Sequence, residues 1–143
     1  MTQIDRYGLP LSTSFAEAAE WYGVSVDAVL GFEGGIIEAV DRALEIDPGF
    51  ALAHIHKARA LQVEGRMSEA LESKRAAQFL AGRATAEEQS QIAALSRTID
   101  GDGPAAIASI KEHLGDYPRS ALLLAQVVFD ASDCGGTVTI DRA

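Results

Sequence analysis

Residues 43–54 read ALEIDPGFALAH, and the proline inside them decides the fold. Pro48 has no N–H to donate and biases Asp47 away from helical angles, so the pattern before it ends there. Upstream, Ile36, Ile37, Val40, Ala43, Leu44 and Ile46 recur at three- and four-residue steps, with Glu38, Asp41, Arg42 and Glu45 on the other side. That is the pattern of an amphipathic helix. Downstream, Leu52, Ile55, Ala58 and Leu61 mark a second helix that stops near Gly65, as a C-terminal glycine dictates. The corner therefore joins two antiparallel helices. A third returns over SEALESKRAAQFLA, residues 68–81, with Ala70, Leu71, Ala77 and Leu80 on one stripe.

The corner recurs. Gly31 and Gly65, Ala43 and Ala77, and Pro48 and Gly82 each stand thirty-four residues apart, and YPRSALLLA at 117–125 repeats DPGFALA with Pro118 in the place of Pro48. Gly82 and Pro118 are thirty-six apart, so the third unit carries a two-residue insertion. Ser14-x-x-Glu17 and Thr85-x-x-Glu88 have the spacing of capping boxes, and Pro104 suits a first helical turn. The expected fold is all-α, with seven helices at roughly 14–30, 34–47, 50–64, 68–81, 85–100, 104–115 and 119–131. Residues 1–13 form an N-terminal extension to this 14–131 repeat domain, and 132–143 an irregular tail.

Small residues where paired helices touch, and a breaker between units, give the chain a resemblance to the tetratricopeptide-repeat (TPR) family. Gly65, Ala70 and Ala77 carry it in one copy, Gly31, Ala43 and Pro48 in another, and GRMSEA at 65–70 is similar to the family's inter-helix turn. The chain departs from the family pattern at His54, Lys57 and Lys74, where large apolar residues are usual. LPLSTSFAEAAEWY at 9–22, followed by LGF and DRALEIDPGFALAH, resembles the opening of long bacterial TPR-containing proteins of poorly defined role. The resemblance implies antiparallel helix pairs stacked as a right-handed superhelix, and leaves open that the chain is the opening of a longer one.

Composition narrows the function. Of 143 residues 48% are hydrophobic and only 6% aromatic, which suits one domain of closely packed helices. The formal charge of -9, without a basic run, excludes a phosphate-binding footprint, so nucleic acid is not an expected partner. No apolar stretch is long enough to span a bilayer, and the start of the chain lacks the pattern of a signal peptide. With the single Cys134, this places the expected location in the cytoplasm, with no membrane partner.

Catalytic chemistry is not expected. His54 and His56, two apart on a helix, point about 200° from each other and cannot share a metal; His54 takes the packing side by repeat position. Cys134 has no base among its neighbours. GFEGG at 31–35 and GDG at 101–103 lack phosphate-cradling spacing. Carboxylates such as Glu17, Glu20, Glu87 and Glu88 read as a solvated face. No cofactor, metal or catalytic residue follows.

Stacked helix pairs offer a concave side lined by the first helix of each pair, where an extended or helical peptide binds. The positions that face inward in the TPR family are here Trp21, Tyr22, Ser25, His56, Arg59, Gln62, Gln91 and Gln126, so a protein or peptide partner is expected there, with Trp21 and Tyr22 either lining the groove or packing at the first helix interface. The last expected helix is apolar around most of its circumference, and something must cover it. The candidates are the tail 132–143, a partner chain that supplies a further helix, or a second copy; in the last case Leu124, Val128 and Phe129 self-associate into a homodimer, the structural alternative to peptide capture.

Overall fold

The computed structural model describes residues 3–5, 8–31, 34–120 and 123. Six α-helices make up the body: α1 Ala16–Leu30, α2 Ile36–Ile46, α3 Ala51–Val63, α4 Met67–Leu80, α5 Ala86–Ile99 and α6 Gly103–Asp116. A single 3₁₀ turn, Ala81–Arg83, leads from α4 towards α5. The helices pair as antiparallel hairpins, α1 with α2, α3 with α4 and α5 with α6, and α3 lies against both α2 and α5. The architecture is an all-α bundle of paired antiparallel helices, consistent with helical-repeat packing. Of the seventh expected helix, 119–131, only Arg119, Ser120 and Leu123 fall within the described residues.

Two kinds of turn build the bundle, and each occurs twice with the same bonding. At the proline corners Asp47 and Tyr117 adopt nearly the same backbone, φ −132°, ψ 87° and φ −131°, ψ 73°. Each donates its N–H four residues back, to Ala43 and His113, and accepts one from three residues ahead, Phe50 and Ser120. Proline in the next position blocks any continuation of the helix. Within the hairpins Gly65 and Gly101 sit at φ +78° and +82°, angles that favour glycine. Their neighbours Arg66 and Asp102 donate to the carbonyls of Leu61 and Arg97, the closure typical of a glycine C-terminus.

The two helices of a pair contribute differently to the core. In the first two pairs the second helices bury small residues, Ala39, Val40 and Ala43 from α2 and Ala70 and Ala77 from α4, which lets helix axes approach closely; α6 buries Ile110 and His113 beside Ala106. The first helices bury larger and more polar ones, and α3 is buried on most of its circumference: Leu52, Ile55 and Leu61, but also His56 and Arg59. Lys57 and Lys74, the departures from the apolar repeat pattern, form ion pairs with Asp41 on α2 at 2.7 Å and Asp100 beyond α5 at 2.5 Å. Being partly exposed, these pairs contribute under about 1 kcal/mol each.

The described residues before α1 add an element that helical periodicity does not contain. Gln3–Ile4 (β1) and Pro10–Leu11 (β2) pair antiparallel, Gln3 opposite Leu11 and Ile4 opposite Pro10. Asp5 closes this ribbon: its N–H donates to Leu9, its carbonyl accepts from Gly8, and its carboxylate accepts from the Leu9 N–H at 2.9 Å. Gly8, at φ +84°, supplies the reversal. Leu11, 1% exposed, joins the helical core. The capping box expected at Ser14 does not form, because α1 starts later, with Phe15 as its N-cap and no side-chain cap bond. The box at Thr85 forms in full: Thr85 Oγ1 accepts from Glu88 N–H and Glu88 accepts from Thr85 N–H.

Candidate functional site

The side of the bundle formed by α1, α3 and α5 gathers the inward positions. Tyr22, His56 and Gln91 follow one another at steps of 34 and 35 residues, one from each first helix. The Tyr22 hydroxyl lies 3.2 Å from His56 Nε2, which lies 3.2 Å from Gln91 Oε1. Gln91 in turn donates its amide to Glu87 Oε1 at 2.5 Å. This last bond orients the Gln91 amide and leaves its oxygen towards His56. An amide oxygen only accepts, so His56 carries its proton on Nε2.

The chain of bonds ends on a buried carboxylate. Glu87, 5% exposed, also accepts from the Ser120 hydroxyl at 3.4 Å and lies 3.4 Å from His113 Nε2. That last contact is off hydrogen-bond geometry, and Nε2 is otherwise unpartnered; the other nitrogen of His113 bonds the Ser90 hydroxyl at 2.7 Å. Burial sets the protonation of this row. It lowers His56 to about 3, against a smaller rise from its bond with Gln91. It also lifts Tyr22 well above the usual phenol range, with the charges of Glu87, Asp5 and Glu88 adding to the rise.

A second rung lies nearer the C-terminal ends of α3 and α5. Arg59 donates to Gln62 Oε1 at 2.7 Å, and the Gln62 amide donates to the carbonyls of Thr98 and Ile99, both at 3.2 Å. Both carbonyls lie in the last turn of α5, where that of Thr98 also accepts from the Gly101 N–H, so Gln62 adds donors to the end of the neighbouring helix. Ser25 donates back to the Tyr22 carbonyl at 2.6 Å, and Trp21 is half-buried against the core. Gln126, Leu124, Val128 and Phe129 lie outside the described residues.

Burial overturns three expectations here. His54, placed by repeat position on the packing side, is half-exposed in the first turn of α3, where its Nε2 bonds the Pro48 carbonyl at 2.9 Å. His56, two residues on, is the packed histidine. Glu87 and Glu88, read as solvated, are 5% and 0% exposed, each held by donors from other elements. Glu17 and Glu20 are exposed as expected.

Residues 3–5 and 8–13 run over this same side. β1 packs on α1, with an open cleft between them lined by Gln3, Ile4, Ala16, Ala19, Glu20 and Gly23. Leu11 belongs to the cluster that holds Tyr22, Ile55 and Ile92. Ser12 N–H points at both oxygens of Glu88 on α5, at 3.1 and 3.2 Å, and Thr13 Oγ1 donates to Asp47 Oδ2 at 2.7 Å. At the far end Gly8 is so close to the Arg119 guanidinium that a Cβ would meet it at 3.0 Å. The ribbon therefore reaches from α1 to the start of the fourth unit.

Among the described residues no group of three or more His, Cys, Asp or Glu could hold a metal ion, and no helix is long and apolar enough to cross a membrane. No protein-family model, curated protein or solved structure matches this chain.

Proposed function

We propose that this chain is a non-enzymatic, TPR-like interaction scaffold that acts in the cytoplasm. Its helix pairs stack as a right-handed superhelix, and it holds a peptide or protein segment on the side lined by α1, α3 and α5. One observation carries the reading: inward positions spaced at the repeat period, Tyr22, His56 and Gln91, fall in a row across three first helices. The three side chains are themselves buried, at 3%, 7% and 4% exposed, and they order the three first helices into one side over which an extended ligand can run. The chain's own residues 3–5 and 8–13, seated on that side, add support.

The test is selection of binders from a random peptide library on the immobilised full chain. Binding of enriched peptides should fall by about tenfold or more in Trp21→Ala, as for a partly buried aromatic anchor. It should be unchanged in Phe79→Ser, whose side chain is 89% exposed on α4, a second helix. Failure to enrich any peptide, or binding insensitive to Trp21, refutes the reading.

A further inference from the structure

We infer that residues 8–13 are an exchangeable occupant of the face formed by α1, α3 and α5, and that the face takes an extended partner segment of the same chemistry in their place. That chemistry is an apolar side chain, then a free backbone N–H, then a hydroxyl, as in Leu11-Ser12-Thr13. The inference rests on the peptide-binding reading above and adds to it the class of ligand and its competitor.

The receptor groups select this class. Glu88 is fully buried, and both of its oxygens are aimed at the backbone N–H of Ser12. A helical ligand spends its interior N–H groups on its own carbonyls, so only an extended chain or a helix start offers one here. Asp47 presents Oδ2 to the Thr13 hydroxyl while its Oδ1 holds the Gly49 N–H of the corner. A hydroxyl one residue past the N–H donor fits an extended segment. The buried site of Leu11 lies one residue before it.

The occupant's hold is limited. The ribbon is two residues long on each strand, and a two-stranded ribbon is marginal by itself. Ile4 is 63% exposed, Gly8 and Pro10 are exposed, and among the described residues of the segment only Leu11 and Thr13 are buried. Should the segment leave, Glu88 would keep the bond from the Thr85 N–H and lose the one from Ser12, which a partner's N–H would replace. Covalent attachment gives the segment an effective concentration of the order of mM, so it masks the face from weak ligands.

The test measures fluorescence anisotropy of a labelled peptide QIDRYGLPLST, residues 3–13, with the full chain. Wild type should bind weakly. Leu11→Ala, which empties the apolar site in cis, should bind the peptide about tenfold tighter or more, because the tethered competitor is weakened. Thr13→Ala, which removes one hydroxyl and leaves the core packed, should bind severalfold tighter and decides the matter if Leu11→Ala fails to fold. A peptide with its own leucine replaced by alanine should lose the binding. No gain over wild type in a folded variant overturns the inference and makes the segment a fixed part of the core. A wild-type dimer by light scattering that reverts to monomer in Leu11→Ala makes a second copy the occupant, and overturns it too. Library peptides that bind wild type with no gain in either variant refute this inference alone, whereas absence of any peptide binding to any form refutes the peptide-binding reading as well.

Discussion

Acidification from pH 7.5 to 5.0 should destabilise the chain through His56, and the size of the effect follows from its burial. The side chain is held neutral, with its pKa at about 3 in the folded protein against about 6.5 in an unfolded chain. A histidine depressed in this way takes up its proton only on unfolding. Its contribution to stability is intact above about pH 6.5 and is lost as the pH falls towards 3. Between pH 7.5 and 5.0 the linkage amounts to about 2 kcal/mol, a sizeable part of a small domain's stability. Glu88 acts in the opposite sense, because burial raises its pKa and the folded form protonates first. His56→Gln keeps an amide beside Gln91 and Tyr22 and leaves Glu88 in place, so the Glu88 term cancels when the two proteins are compared. Urea unfolding of both at the two pH values should show wild type losing about 2 kcal/mol more than the variant. Equal losses would refute the assignment of His56 as a buried neutral donor.

Two further expectations concern the turns, each read by chemical denaturation. Thr85→Ala should cost about 1 kcal/mol by removing the N-cap of α5, whereas Ser14→Ala should fall within about 0.5 kcal/mol of wild type, because α1 is capped at Phe15 without a side-chain bond. An equal cost at both positions would contradict this start of α1. Gly65→Ala should cost about 1 kcal/mol from backbone strain alone, since φ is +78° and nothing lies within 4 Å of the added Cβ; a neutral result would remove the left-handed turn.

The helices were legible because their punctuation is local. Proline at 48 and 118 and glycine at 65 and 101 act through their own backbone, so the expected boundaries agree with the described ones within a few residues. The inward positions implied by the resemblance to TPR repeats likewise put Tyr22, His56 and Gln91 in one set. What escaped notice depends on partners distant in sequence. Glu87 and Glu88 carry the charge of surface residues, and their burial goes with the approach of Ser12, 76 residues from Glu88, and Ser120, 33 residues from Glu87. Two-residue strands such as Gln3–Ile4 are too short to show alternation. The exchange of roles between His54 and His56 has a geometric cause: His54 lies in the first turn of α3, within reach of the Pro48 carbonyl, while His56 falls between α1 and α5.

The bond from Ser12 to Glu88 spans 76 residues, which sets an order of events during synthesis. The ribbon leaves the ribosome before its docking surface exists. At about 5–20 residues per second, the wait for Glu88 is roughly 4–15 s, ample time for a helical hairpin, which forms in far less than a second. This stretch is thus made well before the surface it settles on, and until α5 arrives Leu11 and Ser12 are open to whatever else in the cell offers them a surface.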